Sequence, residues 1–218
     1  MPPHLVSSHK ACPFAPDCSF TGTAPNIEVH KKTCNHRRAT CPQVSCSLEI
    51  SRSLFWVHWK HAHSTSIVAP TTPDIWTMKY SLEFVFNPNE LKGRSGQCKT
   101  WETGAFRFDQ QLFFLNLQRT KRNDMFFMWM SMAGDQVMAD QYRVNLLLGK
   151  GDNRLRWQMG VFTLDQSRES VYESRDCVAL PKKMIQGMLS KAAVSEKVSS
   201  VAHLIMLALP VICEFSVG

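Results

Sequence analysis

From Tyr80 onward the chain alternates apolar and polar residues in short runs. "YSLEFVF", "AFRFDQQLFFLNLQ", "MFFMWMSMA", "QYRVNLLLG" and "RLRWQMGVF" are rich in aromatic and β-branched residues, several with a period of two. Successive side chains of a strand point to opposite faces, so these runs predict β-strands with one face in a core. "RTKRND" separates the second run from the third. "GKGDN" separates the fourth from the fifth and suits a hairpin turn, because glycine accepts a positive φ. The apolar run "HLIMLALPVICEF" predicts a further strand. "PKKMIQGMLSKA", residues 181–192, predicts a short helix: Pro181 sits at its start, and Met184, Ile185, Met188 and Leu189 share one face. Many short strands with one or two short helices predict a mainly β fold, an antiparallel sandwich over residues 80–218. Its methionine and aromatic stripes are expected to be core.

The first third of the chain lacks this rhythm and carries cysteine and histidine instead. Cys12 and Cys18 are separated by five residues, eleven more lead to His30, and three more lead to Cys34. Cys41 and Cys46 are separated by four residues, eleven lead to His58, and four lead to His63. A close cysteine pair, an identical eleven-residue span and a short closing pair make a tandem repeat of one small unit. Zinc takes four nitrogen or sulfur ligands in a tetrahedron. A turn can supply the close pair and one helical turn the closing pair, as in a ββα finger. Two structural zinc ions are therefore expected, one on Cys12, Cys18, His30 and Cys34, the other on Cys41, Cys46, His58 and His63. His61 is a rival to His63, but its gap of two residues after His58 is unusual for fingers. His36 reads as a solvated polar residue. Five cysteines in the two units are an odd number for disulfides, and "MPPHLVSSHKACPF" holds no apolar run of signal-peptide length. The organisation expected is a tail over 1–11, fingers over 12–34 and 41–63, a Pro-, Ser- and Thr-rich linker over 64–79 and the sandwich.

Composition narrows the picture further. Of 218 residues, 44% are hydrophobic, enough for a core. The longest membrane candidate, "LIMLALPVIC", is too short to span a bilayer, so no membrane partner is expected. The formal charge is +7, with seven Lys/Arg against three Asp/Glu up to residue 66 and eighteen against fifteen after it. So diffuse an excess permits nucleic-acid contact without arguing for it. Cys98, Cys177 and Cys213 are scattered in apolar surroundings and read as reduced core residues. "LGKGDN" lacks the spacing of a phosphate loop, no HExxH occurs, and Glu169 and Glu173 read as solvated charges. Filled four-ligand metal sets leave no open position for a reactive water. No catalytic residue is assigned.

Two such fingers followed by a β-sandwich resemble the seven-in-absentia (SINA/SIAH) family of ubiquitin ligases. "CPFAPDC…H…C" and "CPQVSC…H…H" match its double finger in ligand type and order. "FFMWMSMAG", the hairpin "YRVNLLLGKGDNRLRWQ" and the Asp176-Cys177 pair fall in the order of its TRAF-like sandwich. The resemblance implies a substrate-binding domain that takes an extended peptide of a partner protein along an edge strand and forms a homodimer, in the cytoplasm or nucleus. It also implies a place in ubiquitin conjugation, but family ligases carry a RING ahead of the fingers. Only eleven residues precede Cys12, and none is cysteine. This stretch of chain is therefore expected not to transfer ubiquitin by itself. The family's groove contains a tryptophan shortly before a long apolar strand. Trp101 stands in that place, with a core role as the alternative. The competing functional readings are a non-catalytic scaffold in a nuclear or chromatin complex and, more weakly, nucleic-acid binding by the fingers.

Overall fold

The computed structural model describes residues 9–64, 67–73, 77–86, 98–120, 124–149, 154–174, 176–191 and 207–217. Two ββα units open it. In the first, β1 (Lys10–Ala11) pairs antiparallel with β2 (Thr21–Gly22), and α1 (Ala24–Thr33) follows. Thr23 is extended ahead of α1 and Pro25 lies in its first turn, where a missing N–H costs nothing. In the second, β3 (Arg38–Thr40) pairs with β4 (Glu49–Ser51), and a 3-10 turn at Arg52–Leu54 leads into α2 (Phe55–Ala62).

Two sheets face each other behind the fingers. Their strands are β5 (Ile67–Val68), β6 (Pro70–Pro73), β7 (Thr77–Phe86), β8 (Lys99–Phe108), β9 (Gln111–Arg119), β10 (Met125–Met132), β11 (Tyr142–Leu148), β12 (Leu155–Met159), β13 (Val161–Thr163), β14 (Val178–Pro181), β15 (Ser190–Lys191) and β16 (Leu207–Val217). Short helices α3 (Gln136–Ala139), α4 (Arg168–Glu173) and α5 (Lys182–Met188) lie between strands. One sheet runs β13-β10-β9-β8-β5, with β14 also on β10; the other runs β12-β11-β16-β7-β6, with β15 on β16. The pairings are antiparallel except β10 with β13 and β5 with β8.

The alternation seen in the sequence fills the space between the sheets. Phe113, Leu115 and Leu117 of β9 and Met128, Met130 and Met132 of β10 meet Tyr80, Phe84 and Phe86 of β7, with Val144, Leu146 and Leu148 of β11 and Val211, Cys213 and Phe215 of β16. All are buried. Each such large side chain contributes about 1.5–3 kcal/mol over its exposed state. The chain is thus a mainly β sandwich preceded by two cysteine- and histidine-bearing units.

Three features differ from the sequence reading. "AFRFDQQLFFLNLQ" is not one strand but the hairpin of β8 and β9, turning at Asp109 (φ 47°) and Gln110 (φ 60°). Two consecutive left-handed residues match the right-handed twist of the strands, but Asp-Gln lacks the glycine that would have announced the turn. Tyr142 donates its hydroxyl to Asp109 Oδ2 at 2.9 Å and steadies it. The stretch 64–79 is more than a linker, since β5 joins one sheet, β6 the other, and β7 begins at Thr77. Prolines fit β6 because it is an edge strand with one side unpaired. The helix over 181–192 ends earlier, at Met188, and Ser190 and Lys191 pair with β16.

Other expectations are met in part. Gly149 ends β11 with φ 90°, as the glycine turn requires, and β11 pairs antiparallel with β12; residues 150–153 of "GKGDN" lie outside the described residues. The C-terminal run forms β16 from Leu207, and residues 203–206 lie outside them too.

The second finger shares a core with the sandwich. Phe55 and Trp59 of α2 pack with Ala105, Leu112 and Phe114 on the outer face of β8 and β9, and Trp59 lies 4.7 Å from Phe114 between ring centroids. The Arg107 guanidinium lies over the Trp56 ring at 4.5 Å. Asp165, just beyond β13, takes Arg52 Nη2 on Oδ1 at 3.0 Å and Arg37 on Oδ2. A sheet covered on both faces explains why β9 is buried along nearly its whole length.

Candidate metal centres and recognition edges

In the first finger the hairpin presents Cys12 and Cys18, and Cys12 N–H donates to Phe20 O at 2.9 Å to close the loop. His30 sits in the last turn of α1 and Cys34 caps that helix. Their four donor atoms lie within 4.8 Å of one another. Cys12 Sγ is 3.9 Å from Cys34 Sγ, and Cys18 Sγ is 3.3 Å from His30 Nε2. Phe20 stacks on the His30 ring at 4.0 Å and fixes its plane.

The second finger repeats the plan. Cys41 N–H donates to Leu48 O and Cys46 N–H to Gln43 O, each at 2.9 Å. His58 lies on α2, and His63 caps it, donating N–H to Trp59 O at 2.8 Å. Cys41 Sγ is 3.5 Å from His63 Nε2, Cys46 Sγ is 3.7 Å from His58 Nε2, and the two imidazole nitrogens are 3.2 Å apart. His61 is exposed and stands outside this set, and His36 belongs to neither set.

These spacings test the fit of an ion. Bonds of about 2.3 Å to sulfur and about 2.0–2.1 Å to nitrogen in a tetrahedron place two thiolates roughly 3.8 Å apart, a thiolate and an imidazole roughly 3.6 Å, and two imidazoles roughly 3.3 Å. The five distances above fall close to these edges. Electrostatics favour a cation too. Burial pushes the thiols of Cys34 up to about 11 and of Cys41 up to about 12, while a backbone hydrogen bond at Phe20 draws Cys18 down. Burial, then the neighbouring His63, holds His58 below the ordinary histidine value, so it stays neutral and able to ligate. A bound cation supplies the charge that buried thiolates need. Both clusters can hold a metal ion.

Residues 106–199 match the family model described as "Sina, TRAF-like domain". That stretch is similar to the SINA family's TRAF-like domain. The matched stretch covers a little under half of the chain, from the end of β8 through β15, and the two Cys/His clusters fit fingers of the SIAH type. No curated protein gives a significant match. A Sina TRAF-like domain supports a protein-interaction module.

Two of the sandwich's edge segments carry a tryptophan among the described residues. On β8, β5 pairs only with Ala105 and Phe106, so among the described residues the side of residues 100–104 turned away from β9 shows no strand partner. Trp101 lies in this segment. It is 7% exposed and packs on Phe86 at 4.9 Å and Phe126 at 5.5 Å, with Lys99 Nζ 5.2 Å above its ring. Its buried indole N–H finds no acceptor among the described residues. A second edge strand is β12, which carries the exposed Trp157.

Of the remaining cysteines, Cys177 and Cys213 are buried, and burial raises both thiols. Cys98 is exposed rather than core, and accepts from Gln118 Nε2 at 2.5 Å. Glu169 is exposed in the first turn of α4. No helix among the described residues is long and apolar enough to cross a membrane.

Proposed function

We propose that this chain is the recognition module of a SIAH-like ubiquitin ligase, carrying two structural zinc ions and binding an extended segment of a partner protein. The observation that carries the reading is the edge of β8 over residues 100–104, which has no strand partner among the described residues and holds Trp101. An open edge offers main-chain hydrogen bonds, and pockets beside it select side chains. Zinc is favoured over other ions by the cysteine and histidine donors and the tetrahedral spacings. Eight free cysteines support a reducing compartment, cytoplasm or nucleus. The β12 edge with Trp157 supports two-fold self-association, which would present two peptide grooves to a dimeric partner.

The test uses the zinc-loaded full chain and arrayed partner peptides. A bound peptide should lose affinity when N-methylated at alternate residues, those facing β8, and keep it when methylated at the others. Equal tolerance at every position would exclude strand addition. Trp101→Ala should weaken the same peptides, with thermal stability as its control. Sedimentation should show a dimer that Trp157→Asp dissociates; a monomer at high concentration would remove that part of the reading.

A further inference from the structure

The outer face of the β13-β10-β9-β8-β5 sheet is covered in two places. Finger 2 sits over Ala105, Leu112 and Phe114, while Val171 and Tyr172 of α4 sit over Phe127, Trp129 and Phe162. Between the two covers lies a cleft of about 450 Å³. Asn116 and Trp129, directly opposite each other on β9 and β10, lie in its floor with Ser131. Asn116 Nδ2 donates to Ser131 Oγ at 2.9 Å, and both residues are buried, so the floor is polar and fixed. Gln43 lines the finger side, and Gln166 and Arg168 line the opposite side.

We infer that this cleft is a second binding site, for a short peptide segment that bears a carboxylate. It adjoins the β8 edge at Thr100 but rests on different observations. Gln43, only 6% exposed, and Gln166 each hold a buried amide oxygen with no hydrogen-bond partner among the described residues. Buried acceptors without partners are costly, and backbone N–H groups of an incoming segment are the donors that would satisfy them. Apart from the metal-set cysteines Cys41 and Cys46, the lining's one charged side chain is the exposed Arg168, and the lining holds no carboxylate. A guanidinium grips a carboxylate through two parallel hydrogen bonds. The volume lies within the range of ordinary ligand pockets. Donors within and a carboxylate at the rim describe a peptide with an acidic side chain or a free C-terminus. A basic side chain finds no carboxylate here, only neutral amide oxygens.

The experiment titrates the isotope-labelled, zinc-loaded full chain with three pools of five-residue peptides. One is capped with a fixed Asp or Glu, one capped with a fixed Lys, and one neutral with a free C-terminal carboxylate. Side-chain amide signals of Gln43, Asn116 and Gln166 should shift with a carboxylate pool and not with the lysine pool; which carboxylate pool acts identifies the source. Arg168→Glu should weaken binding about ten-fold or more. Val44→Trp, at the half-exposed finger rim, should block it by size, with zinc content unchanged in both variants. Peptides whose binding depends on unmethylated backbone at the β8 edge should be unaffected by Arg168→Glu, which separates the two sites. No shift with any pool, equal shifts with lysine, or binding indifferent to both variants would overturn the assignment.

Discussion

Replacing Asp165 by alanine should loosen the second finger from the sandwich. The carboxylate joins Arg37 and Arg52 from the finger region to the turn after β13. Burial pushes the Asp165 carboxyl up, but a hydrogen bond from Thr163 and the charges of Arg52 and Arg37 outweigh it and hold the group below the ordinary value. It is therefore ionised at neutral pH. The Arg52 side chain is 5% exposed, so its guanidinium has little water to turn to once the carboxylate is gone. Removing one partner of a buried pair costs about 3–5 kcal/mol. Two facts place this site at the lower end. Arg52 Nη1 also reaches Lys32 O at 3.4 Å, and Arg37 is 34% exposed, so its limb is worth about 0–1 kcal/mol. The expected loss is about 3 kcal/mol, or roughly 6–12 °C in Tm for a chain of this size.

Tryptophan emission during heating is a suitable readout, because Trp56 and Trp59 lie at this contact. Asp165→Asn should fall between wild type and alanine. Adding Arg52→Met to the alanine variant should restore most of the loss, since the cost is the unpaired buried cation rather than the missing acid. The folded pKa is depressed, so the stability this group supplies is present above its unfolded value and lost as pH falls through the folded one. The difference between wild type and variant should thus stay flat from pH 8 to about 5 and shrink below about 4. A variant within about 0.5 kcal/mol of wild type, or a double variant no better than the single, would refute the reasoning.

Further outcomes can be checked separately. Chelation should release two zinc ions per chain by elemental analysis and also lower the Tm of the sandwich, because unfolding finger 2 uncovers Ala105, Leu112 and Phe114; an unchanged sandwich transition would contradict the shared core. Phe114→Ala should cost about 3–5 kcal/mol in urea unfolding, as it opens a cavity under Trp59 and Phe55. Gln110→Gly should raise stability by about 0.5–1 kcal/mol, since φ 60° costs glycine nothing and the Arg107 contact it gives up is exposed. In the zinc-loaded chain a thiol reagent should label exposed Cys98 well before Cys177 or Cys213, by mass spectrometry of digested protein.

What the sequence determined was whatever local chemistry enforces. The period of two along β9, β10 and β11 sends Phe113, Met130 and Leu146 to one face whatever the neighbours are, so the sandwich and most of its core were legible. The metal sets were legible because ligand spacing in a ββα unit is short-range: Cys12 with Cys18 in a turn, and His58 with His63 across the end of a helix. Tertiary structure decided the rest. The turn at Asp109 and Gln110 is held partly by Tyr142, thirty-three residues away in the chain, so no local residue pattern announced it. Leu112 and Phe114 lie on the face of β9 that alternation alone would assign to solvent, and only the arrival of α2 buries them. Trp101 reads equally as groove or core in the sequence, and only the meeting of β7, β8 and β10 puts its ring between Phe86 and Phe126 beside a free edge. The Asp165 clamp joins residues more than a hundred positions apart, and the cleft exists only because two separate covers leave a gap on one sheet. Contacts of that separation depend on how whole elements pack, which no window of sequence contains.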